Sequence, residues 1–164
     1  MITLVLGGAR SGKSRVAEQL AARLPAPVTY VATARVDPAD ADHVARVAAH
    51  RARRDPSWTT VEAAEDLADV LRSVPGSVLV DSLGTWVSAA EGLLVDVAGL
   101  VAALRDRSGD TVVVSEEVGL GVHPSSALGR QFRDALGTVN QAVAAVADRV
   151  LLVVAGRVLP LERP

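Results

Sequence analysis

The residue types most suited to chemistry stand at the start of the chain. Gly7, Gly8, Ala9, Arg10, Ser11, Gly12, Lys13 and Ser14 read GGARSGKS. Gly7, Gly12, Lys13 and Ser14 satisfy the pattern G-x-x-x-x-G-K-[ST], the phosphate-cradling P-loop. Glycines let backbone N–H groups converge on phosphate oxygens, and a following helix adds the positive end of its dipole. In such a loop the lysine reaches the β- and γ-phosphates, and the serine hydroxyl ligates Mg²⁺. At average residue usage, a chance match in a chain of 164 residues has odds on the order of 1%. Of 17 basic residues, Lys13 is the only lysine. A composition this biased toward arginine has kept one compact ammonium, at the place where a planar guanidinium would not serve.

Two further clusters carry chemical potential. Ser77–Asp81 reads SVLVD, an apolar strand ending in a carboxylate. After a P-loop, that acidic strand tip suits the shell of a Mg²⁺ ion. The second cluster surrounds His50, with His43, Arg46, Arg51, Arg53 and Arg54. One reading is a solvated cationic helix face. The other is a nucleophilic histidine at phosphorus, with arginines stabilising the charge that develops on the phosphoryl oxygens. The spacing alone leaves both open. His43 and His50 have no third partner at metal-binding spacing.

Composition limits the possibilities. Hydrophobic residues make up 49% of the chain and aromatics 2%, so the core must be aliphatic. A formal net charge of −2 gives no sign of bulk nucleic-acid binding. With no cysteine, disulfides, thiolate zinc sites and thiol catalysis are excluded. No apolar run approaches the ~18 residues of a membrane span. The simplest expectation is a cytoplasmic protein folded as one domain over 1–164.

The elements that must position these residues follow from hydrophobic periodicity. Ile2–Leu6 reads as a buried strand, Ser14–Leu24 as a helix stopped by Pro25, and Val28–Ala32 as a second strand. Asp37-Pro38 starts a helix that runs to Arg54. Ser57–Glu62 is extended, Ala64–Val74 helical, and Ser77–Asp81 a strand. Ser82–Leu94 reads as loop with a helical turn, Val95–Arg107 as a helix and Thr111–Ser115 as a strand. A loop from Glu116 to Pro124 precedes a long helix, Ser126–Ala147, with Leu128, Phe132, Leu136, Val139, Val143 and Val146 inward. Val150–Val154 and Val158–Leu161 flank an Ala155-Gly156 turn. Alternating strands and helices predict an α/β fold of the P-loop NTPase type. The central sheet is mostly parallel, with helices on both faces and an antiparallel C-terminal edge strand.

Several stretches are specific enough to carry a resemblance. They are GGARSGKS, YVATAR, HRARRDPSWTTVE, LVDSLGTWVS, VVVSEEVGLGVHP and FRDALGTVNQAVAAVADRVLLVVAG. Together they span nearly the whole chain, which resembles the bifunctional adenosylcobinamide kinase / adenosylcobinamide-phosphate guanylyltransferases of cobalamin biosynthesis. The resemblance implies phosphorylation of the aminopropanol hydroxyl of adenosylcobinamide. GMP would then pass from GTP to adenosylcobinamide phosphate through a guanylyl-histidine, with His50 at the matching position. It implies nucleotide contacts at Gly7 to Ser14, at Ala32, Thr33 and Ala34, at Ala52, Arg53, Arg54 and Asp55, and at Glu62 and Asp81. It also implies Mg²⁺ held by Ser14 and Asp81, GTP or ATP as nucleotide substrate, and a homo-oligomer, a trimer in the family.

The chain departs from the family in two places. Glu116 stands where the family usually has Asn, and His123-Pro124-Ser125-Ser126 replaces Val-Pro-Glu-Asn. Glu116 and Glu117 read equally well as solvated loop charges or as site residues, and Asp81 and Glu117 are the candidates for a general base. A P-loop kinase with no covalent step is the alternative function. A nucleotide-dependent switch is a third, weakened because its guanine-reading N/T-K-x-D segment needs a second lysine.

Overall fold

The computed structural model describes residues 1–34, 54–63 and 66–163. The strands are β1 (Ile2–Gly7), β2 (Val28–Ala32), β3 (Thr59–Glu62), β4 (Ser77–Asp81), β5 (Thr111–Glu116), β6 (Arg149–Val154) and β7 (Arg157–Leu161). The helices are α1 (Lys13–Ala21), α2 (Leu67–Ser73), α3 (Leu83–Ala89), α4 (Val97–Asp106) and α5 (Ala127–Val146). A short 3₁₀ turn, Glu91–Leu93, links α3 to α4.

Among the described residues, seven strands form one sheet in the order β3-β2-β4-β5-β1-β6-β7. The first six are parallel, and β7 pairs antiparallel with β6. Ala155 and Gly156 both have positive φ, 50° and 74°. Two such residues make the tight turn that returns β6 into β7.

The inner strands are mostly apolar on both sides because the sheet is covered on both faces, with buried polar exceptions that include Thr3, Ser77, Thr111 and Ser115. Alternate residues go to opposite sides. Leu4, Val78, Val80 and Val113 face one core layer together with α2, α3, α4 and α5. Val5, Leu79, Val112 and Val114 face the other layer together with α1. On α5, Leu136, Val139, Asn140 and Val143 are buried at helical spacing.

Some expectations shift. Ser82–Leu94 contains a real helix, α3. The Ser82 side chain accepts from Thr85 N and the Thr85 side chain accepts from Ser82 N, a capping box on a segment that its small residues disguised. Strand β5 runs one residue past Ser115, so Glu116 belongs to the sheet and not to the loop. Leu128 is 65% exposed because it lies in the first turn of α5, ahead of the part that packs. The helix from Asp37 to Arg54 falls almost wholly outside the described residues.

Candidate active site

A parallel sheet ends its strands on one side, and that side collects the chemistry. Across the sheet, Glu62 is in register with Ala32, and Ala32 with Asp81. Asp81 is opposite Val114, and two residues further along β5 Glu116 is opposite Gly7. The C-terminal edge thus brings Glu62, Ala32, Asp81, Glu116 and the start of the P-loop into one row, the usual place for a ligand in this kind of sheet. At the opposite edge, a cavity of about 370 Å³ lies beside Val74, Gly76 and Arg107. There the Arg107 guanidinium donates to the carbonyls of Leu71, Val74 and Gly76, which makes it a structural clasp.

The loop from Gly7 to Ser14 turns sharply between β1 and α1. Gly12 has φ 92°, which a Cβ would strain, and Arg10 is left-handed at φ 55°. Ser11 is buried. Its hydroxyl oxygen accepts from Lys13 N at 3.3 Å, and its carbonyl accepts from Gly156 N at 2.8 Å, seating the β6–β7 turn against the loop. Ala9 and Arg10 are exposed.

Lys13 folds back over its own loop. Its ammonium lies 3.3 Å from Glu116 Oε1 and donates to Gly8 O at 3.4 Å. The Ser14 hydroxyl makes a long contact, 3.5 Å, with Asp81 Oδ1. Asp81 Oδ2 accepts from the Tyr30 hydroxyl at 3.0 Å. Burial pushes the Tyr30 phenol well above its ordinary value, and the negative charge of Asp81 adds to the effect. Tyr30 is therefore a committed donor. The Arg54 guanidinium stacks over the Tyr30 ring, 3.3 Å from its centroid.

Thr33 is fully buried and acts as a latch. Its hydroxyl is 2.6 Å from both Ser82 O and Thr85 Oγ1, and its oxygen accepts from Ser82 N at 2.9 Å. Ala34 follows it, half-buried. Asp55 is exposed and accepts from the Ser57 hydroxyl at 2.7 Å and then the Ser57 amide at 2.9 Å, bonds that hold its carboxyl below the usual range. Glu62 is exposed at the tip of β3. His50, Ala52 and Arg53 lie outside the described residues.

Three site residues escaped sequence reading as participants. Tyr30 lies mid-strand in β2, where its hydrophobic neighbours made it look like core. Ser82 donates to both oxygens of Glu116 at 3.0 Å. Asn140 is buried in α5, accepting from Ser115 Oγ at 2.6 Å and donating to Glu116 O at 3.0 Å. A lone polar residue on the apolar stripe of α5 was the available signal for Asn140. Glu116 itself had even odds of being solvent-facing, and the structure turns it toward Lys13.

The Ser14 hydroxyl and the Asp81 carboxylate are hard oxygen donors side by side, a pair suited to Mg²⁺. The sequence itself matches the model of the cobinamide kinase / cobinamide phosphate guanyltransferase family over residues 3–161. The chain belongs to this family. It is 40% identical to the bifunctional adenosylcobalamin biosynthesis protein CobP of Pseudomonas aeruginosa over 171 residues, covering 99% of this chain and 98% of that protein. It is 38% identical to the CobU protein of Salmonella typhimurium, covering 95% and 97%. Among solved structures, the flagellar accessory protein FlaH of Methanocaldococcus jannaschii superimposes with a TM-score of 0.54 at 14% identity, over 96% of this chain and 74% of that one. That likeness is one of fold. This member of the family places its P-loop on a mostly parallel sheet with an antiparallel edge, as the alternation of elements predicted. Among the described residues, no helix is long and apolar enough to cross a membrane.

Proposed function

We propose that this protein phosphorylates the aminopropanol hydroxyl of adenosylcobinamide and then joins GMP to the resulting phosphate. The observation that carries the first reaction is the convergence of Lys13, Ser14 and Asp81 at the C-terminal edge of the sheet. Family membership over residues 3–161 supplies the substrate class. In the kinase step, Lys13 and the loop amides bind the polyphosphate of ATP or GTP and orient it in line with the hydroxyl. The hydroxyl oxygen forms a bond to the γ-phosphorus, the bond to the β,γ-bridging oxygen breaks, and a nucleoside diphosphate leaves. The hydroxyl proton is released in the same step. Ser14 and Asp81 would hold Mg²⁺, which supplies charge neutralisation on the phosphates. Tyr30 keeps Asp81 aimed by donating to its far oxygen.

In the second reaction His50 is the nucleophile. Its imidazole attacks the α-phosphorus of GTP, pyrophosphate leaves, and the corrinoid phosphate then displaces histidine to give adenosyl-GDP-cobinamide. Arg53 and Arg54 neutralise phosphoryl charge in this account. Glu62 offers its carboxylate to the hydrogen-bond donors of guanine or ribose, and Ala32 to Ala34 line the nucleotide. A homo-oligomeric, cytoplasmic enzyme fits this reading.

The kinase half is tested with adenosylcobinamide and nucleotide labelled at the γ-phosphate. The expected result is labelled corrinoid, abolished in Lys13→Ala. Transfer that survives Lys13→Ala would remove the P-loop from the reaction. Labelled corrinoid with no protein-bound GMP would favour the simpler kinase.

A further inference from the structure

Lys13 has an anionic partner within the protein itself. The Glu116 carboxylate lies 3.3 Å from its ammonium; the Glu116 side chain is 27% exposed and that of Lys13 11%. This carboxylate is held from several directions. Ser82 Oγ donates to both of its oxygens at 3.0 Å. Asn140 Nδ2 fixes its backbone carbonyl at 3.0 Å. The β1–β5 register sets it opposite Gly7. Gly84 leaves the space it occupies, since a Cβ there would collide with Glu116 Oε2. A solvated loop charge needs none of these supports.

We infer that Glu116 is a positioning and specificity residue that makes nucleotide binding depend on a divalent cation. The inference rests on the P-loop reading of the proposed function. An entering polyphosphate must share Lys13 with Glu116 and brings its own negative charge toward the carboxylate. A nucleotide that carries Mg²⁺ offsets this repulsion. A metal-free nucleotide, or a simple anion, does not. Glu116 thus gives Lys13 a competing protein anion and disfavours unproductive, metal-free occupancy of the loop.

The test uses a fluorescent GTP analogue and the full chain. Its Kd is measured in EDTA and in excess Mg²⁺ for the wild type, Glu116→Gln and Glu116→Asp. The ratio of the EDTA Kd to the Mg²⁺ Kd is expected to fall by about tenfold or more in Glu116→Gln, through tighter metal-free binding. Glu116→Asp keeps the charge and retains most of the wild-type ratio. A merely structural role would weaken both affinities together and leave the ratio in place. An unchanged ratio in Glu116→Gln overturns the inference, as does a fall caused only by weaker Mg²⁺-nucleotide binding. Identical behaviour of Glu116→Asp and Glu116→Gln would overturn it too. Failure of the wild type to bind the analogue with Mg²⁺ would instead overturn the P-loop reading, and the role of Glu116 with it.

Discussion

The Tyr30 hydroxyl donates to Asp81 Oδ2 at 3.0 Å, while Ser14 reaches the other oxygen of the same carboxylate. Two neighbouring strands and the P-loop helix therefore meet on one acidic side chain. A hydrogen bond to a charged group contributes about 1.5–3 kcal/mol. Tyr30→Phe keeps the ring beneath Arg54 and removes this one donor to Asp81. Binding of nucleotide with Mg²⁺ should weaken about tenfold or more, measured by titration calorimetry. An unchanged Kd would show that Asp81 is aimed by other contacts.

The ionisation of Tyr30 is separately measurable, because it is the only tyrosine in the chain. Burial, and then the charge of Asp81, raise its pKa in the folded state. The folded protein therefore holds this proton more tightly than the unfolded chain. The associated stability is whole below the unfolded value of about 10 and is lost as pH climbs beyond it. Alkaline titration should show no phenolate absorbance until the protein unfolds, and then a cooperative rise. A smooth titration near the ordinary tyrosine value, with the fold intact, would contradict the buried Tyr30–Asp81 pair.

Asn140 ties α5 to the end of β5. Asn140→Ala leaves the buried Ser115 hydroxyl and the Glu116 carbonyl without these bonds. Unpaired buried polar groups cost about 1–3 kcal/mol each. Denaturant unfolding should show a loss of about that size. Asn140→Asp restores an acceptor for Ser115 but not a donor for Glu116 O, so it should recover only part of the loss.

The sheet and the P-loop were legible because their signals are local. An apolar run, then glycines at fixed spacing, then Lys-Ser needs no tertiary information. Asp81 was legible for the same reason, at the end of a strand. Glu116 was not, since its meaning depends on where the strand ends and which strand lies beside it. One more residue of β5 and the pairing with β1 turn it from a loop charge into a partner of Lys13. Helix α3 was masked by Ser, Thr and Gly, whose role as caps is visible only once Ser82 and Thr85 bond each other. Asp55, expected at the nucleotide, has its carboxylate bonded locally by the Ser57 hydroxyl and amide. Arg54 was expected at phosphate and stacks on Tyr30, one side chain away from Asp81. The helix proposed to carry His50 falls outside the described residues, so the role of His50 rests on sequence.

The most direct test of the two-reaction account is therefore chemical. The protein is incubated with GTP labelled at the α-phosphate and Mg²⁺, without corrinoid, and the protein-bound label is measured. The account predicts a covalent label that is acid-labile and base-stable, as a phosphoramidate on histidine should be, and that is absent in His50→Ala. A label that persists in His50→Ala, or no label in the wild type, would contradict it.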